Sequence, residues 1–130
     1  MNVNELIQHA NGKLLSNTTD LNREIKGACG ADLMSDVLAS IKPEAVLLTG
    51  LCNPQVIRTA QMADVVAIVF IRGKRPPVAT IDLAEQEEIA IISSPLGMFE
   101  LCGRLYKAGL PSLEGSMVDF SSGDCCDDAN

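Results

Sequence analysis

Residues 65–71 (VVAIVFI), seven apolar positions in a row, constrain this chain more than any other stretch. A strand with one wet face alternates apolar and polar residues; a run without alternation describes a strand covered on both faces, as in the middle of a parallel sheet. Asp64 closes the run on one side and Arg72, Gly73 and Lys74 on the other, so it falls far short of the roughly 20 residues of a bilayer-spanning helix. The run belongs to a protein core.

A chain of 130 residues suits one domain and buries roughly two-thirds of the surface its unfolded form exposes. Its net charge of -7, with no Trp, one Tyr and three Phe, offers neither the basic field nor the stacking surfaces of a nucleic-acid binder. The first residues, MNVNELIQHANGK, contain no basic leader, long apolar segment or small-residue cleavage site. Five cysteines, an odd number, do not form a secreted disulfide framework. The expectation is a cytoplasmic protein with free thiols and no membrane or nucleic-acid partner.

In chain order, Val3, Leu6, Ile7 and Ala10 predict a helix over 3–11 with Gly12 as its left-handed cap. His9 lies on the polar side, with no partner to orient it for catalysis. A short strand is expected over 13–16, a polar turn over 17–20, and a weak extended segment over 21–26. Gly27, Ala28, Cys29 and Gly30 read as a turn in which two glycines allow close backbone approach. Such a turn before a helix either holds an anion or simply joins two elements, and no Lys-Ser/Thr pair follows it.

The next helix is expected over 31–41, with Leu33, Met34, Val37, Leu38 and Ile41 inward. Asp32 and Asp36, four apart, share a helix face as solvated acids or as a shared proton or metal site. A strand over 45–49 (AVLLT) then runs through Gly50, Leu51 and Cys52 into a helix with Asn53 as N-cap and Pro54 at its first position. This turn falls at the carboxyl edge of a parallel sheet, where open α/β folds bind ligands. Cys52 there reads either as a packing residue or as a thiol activated by the helix dipole.

Beyond the central strand, residues 72–77 (RGKRPP) form the one cluster of positive charge, a solvated loop or a site for an acidic ligand. A helix is expected over 78–88 with Ile81, Leu83 and Ala84 inward, then a strand over 89–92. Ser94 and Pro95 repeat the cap-then-proline pattern and predict a helix with Met98, Leu101, Cys102 and Leu105 inward, stopped by Gly109 and Pro111. Residues 1–111 are thus expected to form one domain and 112–130 a flexible acidic tail. In that tail, Cys125 and Cys126 among aspartates lack the C-x-x-C spacing of zinc sites. The architecture predicted is α/β, a mostly parallel sheet with helices packed on both faces.

Several stretches resemble the DRTGG-domain family, in particular small stand-alone members encoded beside iron-only hydrogenase genes. The resemblance spans residues 14–110. Its most specific part is REIKGACGADLMSDVLA, residues 23–39, similar to the family's glycine pair followed by a Ser-Asp-Leu-Leu-Ser-Asp-Val helix, of which all but two letters are matched. AVLLTGLCNPQ, the central strand with its basic turn, and SSPLGMFELCGRLYKAGL carry the rest in the same order. The five-letter string that names the family is absent, and Leu51-Cys52 stands where many relatives have Asp-Arg. The resemblance implies a fold like the N-terminal domain of bacterial HPr kinase, which is non-catalytic. It also implies a role in assembly or regulation, as in relatives embedded in phosphotransacetylases and in regulatory pyrophosphatases beside CBS domains.

The expectation is therefore a regulatory or scaffold domain with no catalytic residues, cofactor or metal. It would assemble as a homodimer in hydrogenase-related redox metabolism, where its partners are itself, a hydrogenase-related protein and a small anionic or nucleotide ligand. Gly27, Cys29, Gly30, Gly50, Cys52 and Asn53 would frame that ligand. The alternative is a thiol-based redox or metal-handling protein using Cys29 and Cys52, or Cys125 and Cys126.

Overall fold

The two most apolar stretches of the chain lie side by side at the centre of a five-stranded sheet. The structure is a computed structural model and describes residues 1–17 and 20–114. Its elements in chain order are α1 (Val3–His9), β1 (Lys13–Leu14), β2 (Gly27–Gly30), α2 (Met34–Ser40), β3 (Ala45–Thr49), α3 (Pro54–Met62), β4 (Ala67–Phe70), α4 (Val78–Gln86), β5 (Ala90–Ser93) and α5 (Met98–Lys107). The sheet order is β1-β5-β4-β3-β2, parallel except for β1 on β5. Among the described residues no helix is long and apolar enough to cross a membrane.

Consecutive parallel strands that are also neighbours, joined by right-handed crossovers, must carry their connecting helices on one face. Accordingly Met34 and Val37 of α2, Val56, Ile57 and Ala60 of α3 and Ala84 of α4 pack with Leu47, Ile68, Phe70 and Ile91. The other face is covered by α1 and α5, whose Val3, Leu6, Leu101 and Leu105 pack with Val46, Leu48, Ala67, Val69 and Ile92. Odd and even positions of each central strand thus enter different cores, which explains why β3 and β4 show no polar alternation. Residues 65–71 are all buried, as their sequence predicts. Each large aliphatic or aromatic side chain among them contributes about 1.5–3 kcal/mol relative to exposure.

Several local expectations are corrected. Residues 27–30 form an edge strand rather than a turn: Gly27, Ala28, Cys29 and Gly30 pair with Ala45, Val46, Leu47 and Leu48. The helix expected from residue 31 begins at Met34, with Leu33 and Leu38 exposed. Pro95 does not open the last helix, because Ser94 is engaged elsewhere. Its hydroxyl donates to the Ala10 carbonyl (2.7 Å) and accepts from the Leu96 amide (3.1 Å), so α5 starts three residues later with Gly97 as N-cap. Asn11, not Gly12, takes the left-handed position after α1 (φ 52°). β1 is shorter than expected because the Ser16 hydroxyl, not a backbone carbonyl, accepts from the Ile91 amide. Residues 21–26 contribute one bridge, Glu24 to Asn2, and no strand.

The open edge of β2 is covered by residues 111–114. The Ala28 amide donates to the Pro111 carbonyl and the Leu113 amide to the Ala28 carbonyl, each at 2.9 Å. Part of the segment expected as tail therefore lies along the sheet, blunting an edge that would otherwise invite strand pairing. Gly27 is required by this closure, since a Cβ there would collide with the Leu113 side chain and come within 2.6 Å of the Pro111 carbonyl oxygen. Gly27→Ala is expected to lower stability by about 1–3 kcal/mol, the usual cost of overpacking, measured by urea unfolding; an unchanged midpoint would contradict this role.

Candidate functional site

The four parallel strands end at one rim, and the loops that leave them are bound to one another. After β2, the Asp32 carboxylate accepts from the Thr49 hydroxyl at the end of β3 (2.9 Å) and from the Gly50 amide of the loop that follows (2.8 Å). The Leu51 amide in turn donates to the Thr49 hydroxyl at 3.2 Å. From the loop after β4, the Lys74 ammonium donates to the Gly50 carbonyl at 3.2 Å. The Ser93 hydroxyl donates to the Lys74 carbonyl, and the amides of Arg72 and Gly73 donate to the carbonyls of Leu96 and Ser94 after β5. A belt of hydrogen bonds thus runs from Asp32 to Leu96 across the carboxyl edge.

The electrostatics of this rim oppose those of the whole chain. Arg72, Lys74 and Arg75 are exposed on a protein of net charge -7. The amino ends of α3, α4 and α5 face the same edge and add their positive dipole ends. Asn53 caps α3 by accepting from the Val56 amide, whereas Pro77 and Gly97 give α4 and α5 no side-chain cap. Arg72 Nε lies close enough to Gly97 that a Cβ there would sit 3.9 Å from it. Arg72 (φ 57°) and Gly73 (φ 68°) hold the left-handed backbone that turns this loop. The rim thus gathers positive charge at one edge of an acidic chain.

Of the residues expected to frame a ligand, Gly30, Gly50, Cys52 and Asn53 lie at this carboxyl edge, while Gly27 lies at the opposite end of β2, buried beneath residues 111–113. The Gly30 amide is taken by the Glu114 carboxylate at 2.8 Å. Cys29 points into the core beneath α2 and α3, where burial, reinforced by Glu114, pushes its thiol up to about 12. Burial also raises Cys52, against a smaller opposing effect of Lys74, and raises Cys102. All three thiols are therefore protonated at neutral pH, the reverse of an activated nucleophile. Cys125 and Cys126 lie outside the described residues. Among the described residues, no three His, Cys, Asp or Glu side chains gather as a metal site would require.

Asp32 belongs to the rim although sequence reasoning did not place it there, and Lys74 comes from the basic loop that the sequence offered as a solvated loop or a site for an acidic ligand. The expected Asp32/Asp36 face does not form, because Asp32 precedes the helix and turns to Gly50 and Thr49. The basic loop was the one available signal for this side of the rim.

The hydrogen bond from Gly50, helped by Thr49 and Lys74 and opposed by partial burial, holds the Asp32 carboxyl below its usual range. A carboxylate with a depressed folded-state pKa stabilises the fold above its unfolded value and loses that contribution as pH falls through the folded value. Asp32→Ala is therefore expected to cost about 1 kcal/mol at pH 7, a low figure because the group is exposed. The difference from the parent should shrink below pH ~4, toward Asp32's depressed value. Urea unfolding of both proteins from pH 7 to pH 2.5 checks this, and a difference independent of pH would contradict it.

Against known proteins, the family model described as DRTGG domain matches residues 5–108. No curated protein matches the chain. Among solved structures, it is similar to the CBS and DRTGG domains of the regulatory region of Clostridium perfringens pyrophosphatase, complexed with the activator diadenosine tetraphosphate. The TM-score is 0.64 at 12% identity, covering 89% of this chain and 51% of the other, so this chain spans about half the length of that neighbour. At such identity the likeness is one of fold.

Proposed function

Because the chain belongs to the DRTGG domain family, we propose that it is a non-catalytic regulatory domain that senses a small anionic ligand, a nucleotide or its phosphates, at the carboxyl-edge rim. The observation that carries this reading is the exposed cluster Arg72, Lys74 and Arg75, tied through Gly50 to Asp32 on an otherwise acidic chain. The cations supply charge, the dipoles of α3, α4 and α5 add to it, and the rigid belt keeps the loops from having to order on binding. Gly50, Cys52 and Asn53 frame one side of the ligand and Gly30 lies beyond Asp32.

The pyrophosphatase region with the same fold was solved with a nucleotide activator, which supports a nucleotide as the first ligand class to try. The protonated thiols support regulation over thiol chemistry. In this reading the protein is cytoplasmic, assembles as a homodimer and serves hydrogenase-related redox metabolism. The last point rests on the resemblance of residues 23–39 to members encoded beside iron-only hydrogenase genes.

Thermal unfolding with orthophosphate, ADP and diadenosine tetraphosphate tests the ligand. A ligand at 100 times its Kd adds about 2.7 kcal/mol, a Tm rise on the order of 10 °C for a domain this size. The rise should vanish in the triple variant Arg72→Gln, Lys74→Gln, Arg75→Gln, whose circular dichroism should match the parent. No shift with any of the three anions, or a shift that survives in the triple variant, would overturn the proposal.

A further inference from the structure

Helix α5 carries a second apolar face that the core does not use. Leu101 and Leu105 are buried, but Phe99 is 95% and Tyr106 75% exposed, among the most exposed large hydrophobic side chains described. At 100° per residue, Phe99, Cys102, Gly103 and Tyr106 form one stripe beside the buried one. A Cβ added to Gly103 would meet nothing within 4 Å, so the stripe has a notch between its two rings. Beside it runs a groove of about 380 Å³ between α5 and residues 110–114, with Ala28 and Leu48 of the sheet at its base. Aromatic rings flanking an open apolar groove mark an interaction surface.

The charges along the stripe identify what fits it. Glu100 lies at its amino end, ion-paired at 3.1 Å with Arg104 one turn on, and Lys107 lies toward its carboxyl end, all on the same flank of the helix. When two such helices cross antiparallel about a twofold axis, matching flanks face each other with direction reversed, so Glu100 of one copy meets Lys107 of the other. Each such contact pairs opposite charges, and each copy offers a groove to the other's rings. We propose that this face of α5 is where two copies of the chain meet, with Phe99 and Tyr106 of each seated in the groove of the other. The inference rests on the homodimer part of the function proposed above and is independent of the ligand.

The test uses the full chain. Tyr106 is the one tyrosine and there is no Trp, so intrinsic fluorescence reads this face alone. Sedimentation equilibrium should give a dimer, and acrylamide quenching of Tyr106 should fall as concentration drives dimerisation. Phe99→Ser with Tyr106→Ser, both at exposed positions, should weaken the dimer at least tenfold with unchanged circular dichroism. Lys107→Glu should weaken it, and Glu100→Lys with Lys107→Glu should restore it. A dimer indifferent to these changes, or one in which Tyr106 stays fully quenched, would overturn this surface while leaving the homodimer intact. A monomer at high concentration would overturn both, and a monomer with shielded Tyr106 would assign the groove to residues 115–130 of the same chain.

Discussion

Two-sided burial of β3 and β4 is the constraint on which the rest of the structure depends. Because both faces of these strands are dry, every residue of 45–49 and 65–71 must be apolar or, like Thr49, hydrogen-bonded in place. Dry faces need helices on both sides: the right-handed crossover rule puts α2, α3 and α4 on one face, and α1 and α5 cover the other. On that second face a groove stays open between α5 and residues 110–114.

The strand order also fixes what kind of site the fold offers. Open α/β sheets usually bind ligands in a crevice where the order reverses. Here β2 to β5 run in unbroken succession, so the parallel part has no reversal and no such crevice. In the function proposed, recognition falls instead to a rim of loops held by their mutual hydrogen bonds. The charge of Lys74 in this rim is offset locally by the Asp32 carboxylate.

What the sequence revealed follows the range of the interactions involved. β3, β4 and the Asn53-Pro54 start of α3 depend on neighbours in the chain, and their residues declare them. β2 was hidden because its ladder to β3 and its cover from residues 111–114 are long-range, and its glycines mimic a turn. Ser94 carries the local signature of a cap, but its hydroxyl is committed to Ala10, 84 positions away, and the helix starts later. Likewise Asp32 shows an acidic helix spacing with Asp36, whereas its partners Thr49 and Gly50 come from the end of β3 and the loop after it. In each case a tertiary hydrogen bond overrode a local preference that was physically sound. Cys29 does not face the rim for a related reason: alternation along an edge strand sends its side chain into the core.

The central claim is that a rigid sheet presents one anion-recognising rim. Titrating the ¹⁵N-labelled protein with ADP and with diadenosine tetraphosphate, and following amide chemical shifts, addresses it most directly. The account predicts that changes concentrate at Asp32, at Gly50, Leu51, Cys52 and Asn53, and at Arg72, Gly73, Lys74 and Arg75, while the amides of β3 and β4 stay in place. Changes centred on the groove beside α5, or spread through the strands, would contradict it.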